Sequence, residues 1–170
     1  MDDMEFLEDD KRGESPNQKL DRNWMELLQE LRVLQTGVQI LAGFLLTLPF
    51  QAKFDTLDSF QVGVYLFNVM AAALTTALIL LPVSAHRRLF RKRLKSVLVA
   101  SADMIAKTAL SGVAVLIVGT AVLVFDVVAG RTAALIAGGA IFVILVLLLL
   151  VVPLWLSYRA RRRPGPAVRR

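Results

Sequence analysis

Four intervals of this chain contain no Asp, Glu, Lys or Arg: Val33–Ala52, Ser59–His86, Thr108–Phe125 and Thr132–Tyr158, of 20, 28, 18 and 27 residues. An apolar stretch of about 18 residues without charge is long enough to cross a ~30 Å hydrocarbon core as a helix. The apolar fraction of 56% and mean hydropathy of +0.59 agree, since soluble proteins sit near ~45–50% apolar. The expected fold class is all-α, a bundle of four transmembrane helices. A soluble globular domain, a nucleic-acid-binding domain and a secreted disulfide scaffold are excluded, so no nucleic-acid partner is expected.

Residue counts remove much of the chemistry. The chain has no cysteine, which rules out thiol nucleophiles, disulfides and thiolate metal sites. His86 is the only histidine, so no histidine pair or triad for zinc or iron is available. No phosphate-binding glycine loop, paired catalytic carboxylates or Ser/His/Asp arrangement is visible. The expectation is therefore no enzyme, no metal and no cofactor.

Breakers and caps divide the chain. Residues 1–22 carry eight acids against four bases and lack the apolar region of a signal peptide. They read as a disordered acidic tail, with the first span serving as an uncleaved anchor. Asn23-Trp24-Met25-Glu26 has the capping-box pattern and predicts a helix from there to Leu48, stopped by Pro49. Its first turns, with Glu26, Glu30 and Arg32, extend the first span as a cytoplasmic amphipathic turn, where Trp24 suits the interface. Asp58-Ser59-Phe60-Gln61 is a second capping box, opening a helix that Pro82 is expected to end. The spans fall at about 33–50, 59–82, 106–128 and 132–156, within a membrane domain of residues 23–157. Gly130 closes a tight turn between the last two, and residues 158–170 form a basic tail.

Between spans two and three, His86–Lys95 contains Arg87, Arg88, Arg91, Lys92, Arg93 and Lys95 without an acid. With Leu89, Phe90 and Leu94 on one side, it reads as a basic amphipathic segment contacting anionic lipid headgroups. Counting Lys and Arg by side gives 17 around the two termini and this loop. Only Lys53 and Arg131 fall on the other side, with Lys107 left at depth. By the positive-inside rule both termini are cytoplasmic, and the short loops face outward.

Ionisable groups at membrane depth are functional candidates because an unpaired charge there is costly. Asp103 and Lys107, four residues apart, share a helix face and can pair. They read either as a titratable element of a cation or proton path, or as a pair near the headgroups where Lys snorkels. Gln35, Thr36 and Gln39, followed by Gly43 and Thr47, form a polar stripe on the first span. Asn68, Ala72, Thr75 and Thr76 form another on the second. The two stripes are expected to face each other as interhelical contacts, or to line the path with Asp103. Gly112 with Gly119, and Ala134 with Gly138, permit close helix approach.

Glu26-Leu-Leu-Gln-Glu-Leu-Arg32, Gln35-Thr-Gly-Val-Gln39, Leu45-Leu-Thr-Leu-Pro49-Phe50, Pro82 through His86-Arg87, and Phe125-Asp126-Val-Val resemble an uncharacterised family of short bacterial four-helix membrane proteins. The resemblance covers about residues 24–130 and implies the same topology in a bacterial cell membrane. Members often carry an automated label of sodium:proton antiporter, which implies transport as a function. An inverted internal repeat, common in secondary transporters, is incompatible with four spans whose two hairpins both start in the cytoplasm. The small multidrug exporters use an acid in the first helix, and Val33–Ala52 has none. The leading expectation is a non-enzymatic membrane protein acting on lipid, on a membrane protein partner or on further copies of itself. A small cation/proton antiporter using Asp103 is the alternative.

Overall fold

A computed structural model describes residues 16–89 and 95–161. Helix α1 spans Pro16–Thr47, α2 Ser59–Leu89, α3 Lys95–Ala129, α4 Arg131–Val146 and α5 Val152–Arg161. Short 3₁₀ turns at Leu48–Phe50 and Phe54–Thr56 fill the α1–α2 connection, and a π-turn at Leu147–Val151 joins α4 to α5. No strand occurs among the described residues. Among the described residues, four helical stretches are long and apolar enough to cross a membrane: Asp21–Phe50, Ser59–Pro82, Asp103–Ala129 and Arg131–Arg159. The all-α, four-helix class expected from the charge-free intervals is the class observed.

The helix limits differ from the sequence reading in three places, each for a physical reason. Helix α1 begins at Pro16, so Asn23 lies inside it and caps nothing. Proline suits a first helical position because its missing N–H needs no partner there. Residues 17–36 contain no further Gly or Pro, and Arg22 pairs with Glu26 one turn on. The acidic tail therefore does not reach residue 22, and residues 1–15 lie outside the described part. At the other end, Thr47 closes α1 and Pro49 sits in the following 3₁₀ turn, as its fixed φ favours.

Pro82 does not end α2, which continues seven residues to Leu89. An interior proline costs about 3 kcal/mol in an isolated helix through one lost hydrogen bond and a ring clash. Pro82 is fully buried here, and packing of a long apolar helix against neighbours offsets that cost. The fourth span is also not one regular helix. Leu147–Val151 is wound as a π-turn directly before Pro153, where the ring would otherwise meet the carbonyl of residue 149. Widening the turn relieves that collision.

Burial recurs every seven residues. Leu31, Val38 and Leu45 are buried on α1; Tyr65, Ala72 and Ile79, with Asn68 and Thr75, on α2; Ala109, Leu116 and Leu123 on α3. That period keeps one seam of a helix against its neighbours, as in knobs-into-holes packing. The chain forms two compact units. One comprises Met1–Gln51 and Val69–Val113, the other Ala52–Asn68 and Ala114–Arg170.

Within the first unit, a Cβ on Gly112 would strike the Thr75 side chain. Within the second, a Cβ on Gly119 would strike the Asn68 amide, and one on Gly138 would strike Val122. The absent side chains are what let these helices close up. Thr75 and Asn68 of the α2 polar stripe thus pack on Gly112 and Gly119 of α3.

Candidate functional site

The connection between α3 and α4 is a single residue. Gly130 donates its N–H to the Asp126 carbonyl and accepts from the Ala134 N–H, each at 3.1 Å. One residue thereby finishes one helix and starts the next, which needs its φ of +85° and so favours glycine. Asp126 stands in the last turn of α3 and Arg131 opens α4. Both charges have the wrong sign for their helix end, an acid near a negative terminus and a base near a positive one. Each is offset by the other across the turn.

The guanidinium of Arg131 grips Asp126 with two bonds, Nε to Oδ1 at 2.8 Å and Nη2 to Oδ2 at 3.3 Å. Nη2 also donates to Asp58 Oδ2 at 2.7 Å, and the group lies over the Phe60 ring, 3.8 Å from its centroid. The fork geometry of arginine makes such a shared, bidentate contact possible; a lysine could not reproduce it. Asp58 divides its two oxygens, because Oδ1 accepts the Gln61 N–H at 2.8 Å while Gln61 Oε1 accepts the Asp58 N–H at 2.9 Å. This is the reciprocal capping box expected from the sequence.

The Asp126 side chain is 2% exposed, against 42% for Arg131 and 55% for Asp58. Asp126 is the one buried charged side chain among the described residues. Beside the cluster, Tyr65 is buried with its ring edge-on to Phe54, the centroids 5.1 Å apart. Chemically the cluster is a closed ion pair with a second acceptor. It ties together the start of α2, the end of α3 and the start of α4.

The Asp103–Lys107 pair forms, with Nζ donating to Oδ2 at 2.7 Å. It lies on the exposed side of α3, with side chains 51% and 75% accessible. Asp103 and Lys107 border a groove of about 500 Å³ with Glu30, Val33, Leu34, Ala106 and Leu110. Gln35 is half-exposed and Gln39 exposed on α1, and neither side chain makes a hydrogen bond among the described residues. Asn68, in the other unit, is fully buried, its Nδ2 donating to the Val64 carbonyl at 3.0 Å and its Oδ1 without a protein partner. The structure thus brings Asp103 and Lys107 together, and holds Asn68 against Gly119.

Of the basic residues assigned to headgroups, Arg87 and Arg88 fall on the last turn of α2 and Lys95 opens α3. Their side chains, and the whole of Arg91, Lys92 and Arg93, lie outside the described residues. Among the described residues no group of three or more His, Cys, Asp or Glu is placed to hold a metal.

Sequence reasoning missed the Asp58–Asp126–Arg131 cluster because Arg131 counted as an ordinary loop cation. The wrong-signed charges either side of Gly130 were the available signal.

A family model described as "Family of unknown function (DUF6328)" matches residues 13–153. The chain belongs to this family. The match takes in α2 through α4 and the whole ion cluster. No curated protein and no solved structure gives a match.

Proposed function

We propose that this chain is a non-enzymatic integral membrane protein that works by helix packing and by charged segments engaging lipid or a protein partner. The observation carrying this reading is the state of Asp126. The one buried carboxylate among the described residues is held by two bonds from one edge of an arginine, so it is engaged in joining helices. A proton or cation carrier needs the opposite, a carboxylate that is charged and discharged in each cycle. The basic residues between α2 and α3 and at the C-terminus are assigned to anionic headgroups, each contributing about 1 kcal/mol near a membrane surface. The 17-to-2 distribution of Lys and Arg supports cytoplasmic termini, and the resemblance to short bacterial proteins supports a bacterial cell membrane.

One observation favours a second reading, a small cation/proton antiporter using Asp103. Asp103 and Glu30 border the same groove, so two carboxylates lie on one accessible surface. Proton-coupled cation flux into liposomes carrying the purified chain decides between the two. The packing reading expects no flux above empty liposomes. Flux in the wild type that disappears in Asp103→Asn would replace it with the antiporter.

A further inference from the structure

On α1 the buried seam runs through Leu31, Val38 and Leu45. At 3.6 residues per turn, Thr36, Gln39 and Gly43 fall on one flank, about 100–160° round the helix from that seam. All three are exposed. The Thr36 hydroxyl is satisfied within the helix, donating to the Arg32 carbonyl at 3.0 Å. The Gln39 amide is not, for it makes no hydrogen bond among the described residues although it stands well inside the Asp21–Phe50 span. An amide at that depth has no water to turn to and needs a partner.

Gly43, one turn further along the flank, has nothing within 4 Å of where a Cβ would stand. Gly112, Gly119 and Gly138 differ in that each receives a side chain of a neighbouring helix. Among the described residues the notch at Gly43 has no occupant. Beside it the rest of the exposed face, with Val33, Ile40 and Phe44, is apolar and suits lipid.

We propose that the chain self-associates in the membrane through the Thr36–Gln39–Gly43 flank of α1, against the same flank of a second copy. The chemistry of Gln39 selects that partner. A primary amide is donor and acceptor at once, so two glutamines related by a two-fold axis form two reciprocal hydrogen bonds. Depth selects it as well. The lopsided Lys and Arg distribution gives every copy one orientation, so a two-fold axis along the membrane normal sets Gln39 opposite Gln39 at equal depth. Gly43 then faces Gly43, and the two backbones approach closely enough for the amides to meet. This inference names a partner within the packing reading given above and rests on the chain spanning a membrane.

Energy transfer between donor- and acceptor-labelled full-length chains, in phosphatidylethanolamine–phosphatidylglycerol vesicles, tests it across a range of protein-to-lipid ratios. Wild type is expected to associate, and Gln39→Leu to weaken association by roughly three- to tenfold, the scale of one or two interhelical hydrogen bonds in a bilayer. Gly43→Leu fills the notch and weakens it too, whereas Phe44→Ala on the apolar face leaves it unchanged. All three positions are exposed, so folding is not at stake.

Because the chain has no native cysteine, Gly43→Cys offers a second readout in native membranes. With copper–phenanthroline and O2 added as the two-electron oxidant, a disulfide-linked species of twice the chain mass is expected. A monomer at every ratio, association insensitive to both Gln39→Leu and Gly43→Leu, or cross-linking only to a protein of different mass overturns the proposal. Ion flux is independent of these readouts, so flux together with a Gln39-dependent dimer would overturn the packing function and leave the dimer standing.

Discussion

Two of the ion pairs among the described residues make opposite use of the same chemistry. Asp103–Lys107 joins residues four apart on one helix, both side chains more than half exposed. Arg131 reaches back five residues to Asp126 and across 73 to Asp58, and one of its acceptors is almost wholly buried. The first pair adds a contact to a helix that packing already holds. The second decides how three helix ends meet. An exposed i,i+4 pair contributes about 0.3–0.5 kcal/mol, because water competes for both partners. Breaking a buried pair is far more damaging, because the remaining charge keeps its desolvation cost without compensation.

Breaking the cluster should have the largest effect. Arg131→Ala leaves Asp126 buried and unpaired, and is expected to give the largest fall in detergent melting temperature among single substitutions in the chain. Adding Asp126→Asn should recover part of that loss, since a neutral amide tolerates the same site. If the double variant melts no higher than Arg131→Ala alone, the ion pair is not what joins these helices.

Glycine contacts come next. Gly119→Ala drives a methyl group into the Asn68 amide, and overpacking of this kind costs about 1–3 kcal/mol. Gly37→Ala, where nothing lies within 4 Å, should instead raise stability by up to ~1 kcal/mol through helix propensity. Denaturation curves for the two variants should therefore shift in opposite directions; a shared direction would mean that Gly119 is not a contact point.

Removing the outer acceptor alone should matter less. Asp58→Asn has one amide oxygen, which can serve the Gln61 N–H or Arg131 but not both, while Asp126 retains both of its bonds. A small drop in melting temperature is expected, well below that of Arg131→Ala. Equal drops would show that Asp58, not Asp126, is the principal anchor.

Asp103→Asn should be the mildest change, within about 0.5 kcal/mol of wild type by chemical denaturation. A larger loss would mean that the exposed pair is structural, and would erase the contrast between the two.

The sequence by itself determined the class, the number of spans, the capping box at Asp58 and the Asp103–Lys107 pair. All depend on near neighbours in the chain: charge-free length, a three-residue cap and a four-residue helical spacing. The glycines at 112, 119 and 138 were also legible as places of close approach, though not what fills them. Tertiary structure decided the rest. Pro82 remains helical because burial outweighs its local cost, and no local rule contains that burial. The stripe of α2 turned toward α3 because glycine at 112 and 119 leaves room for Thr75 and Asn68. Gln39 stands exposed on α1. Asp126 and Arg131 carry charges that their own helix dipoles disfavour, and only the one-residue turn at Gly130, with Asp58 brought in from the start of α2, makes them favourable. An interaction across 73 residues exists only once the chain is packed.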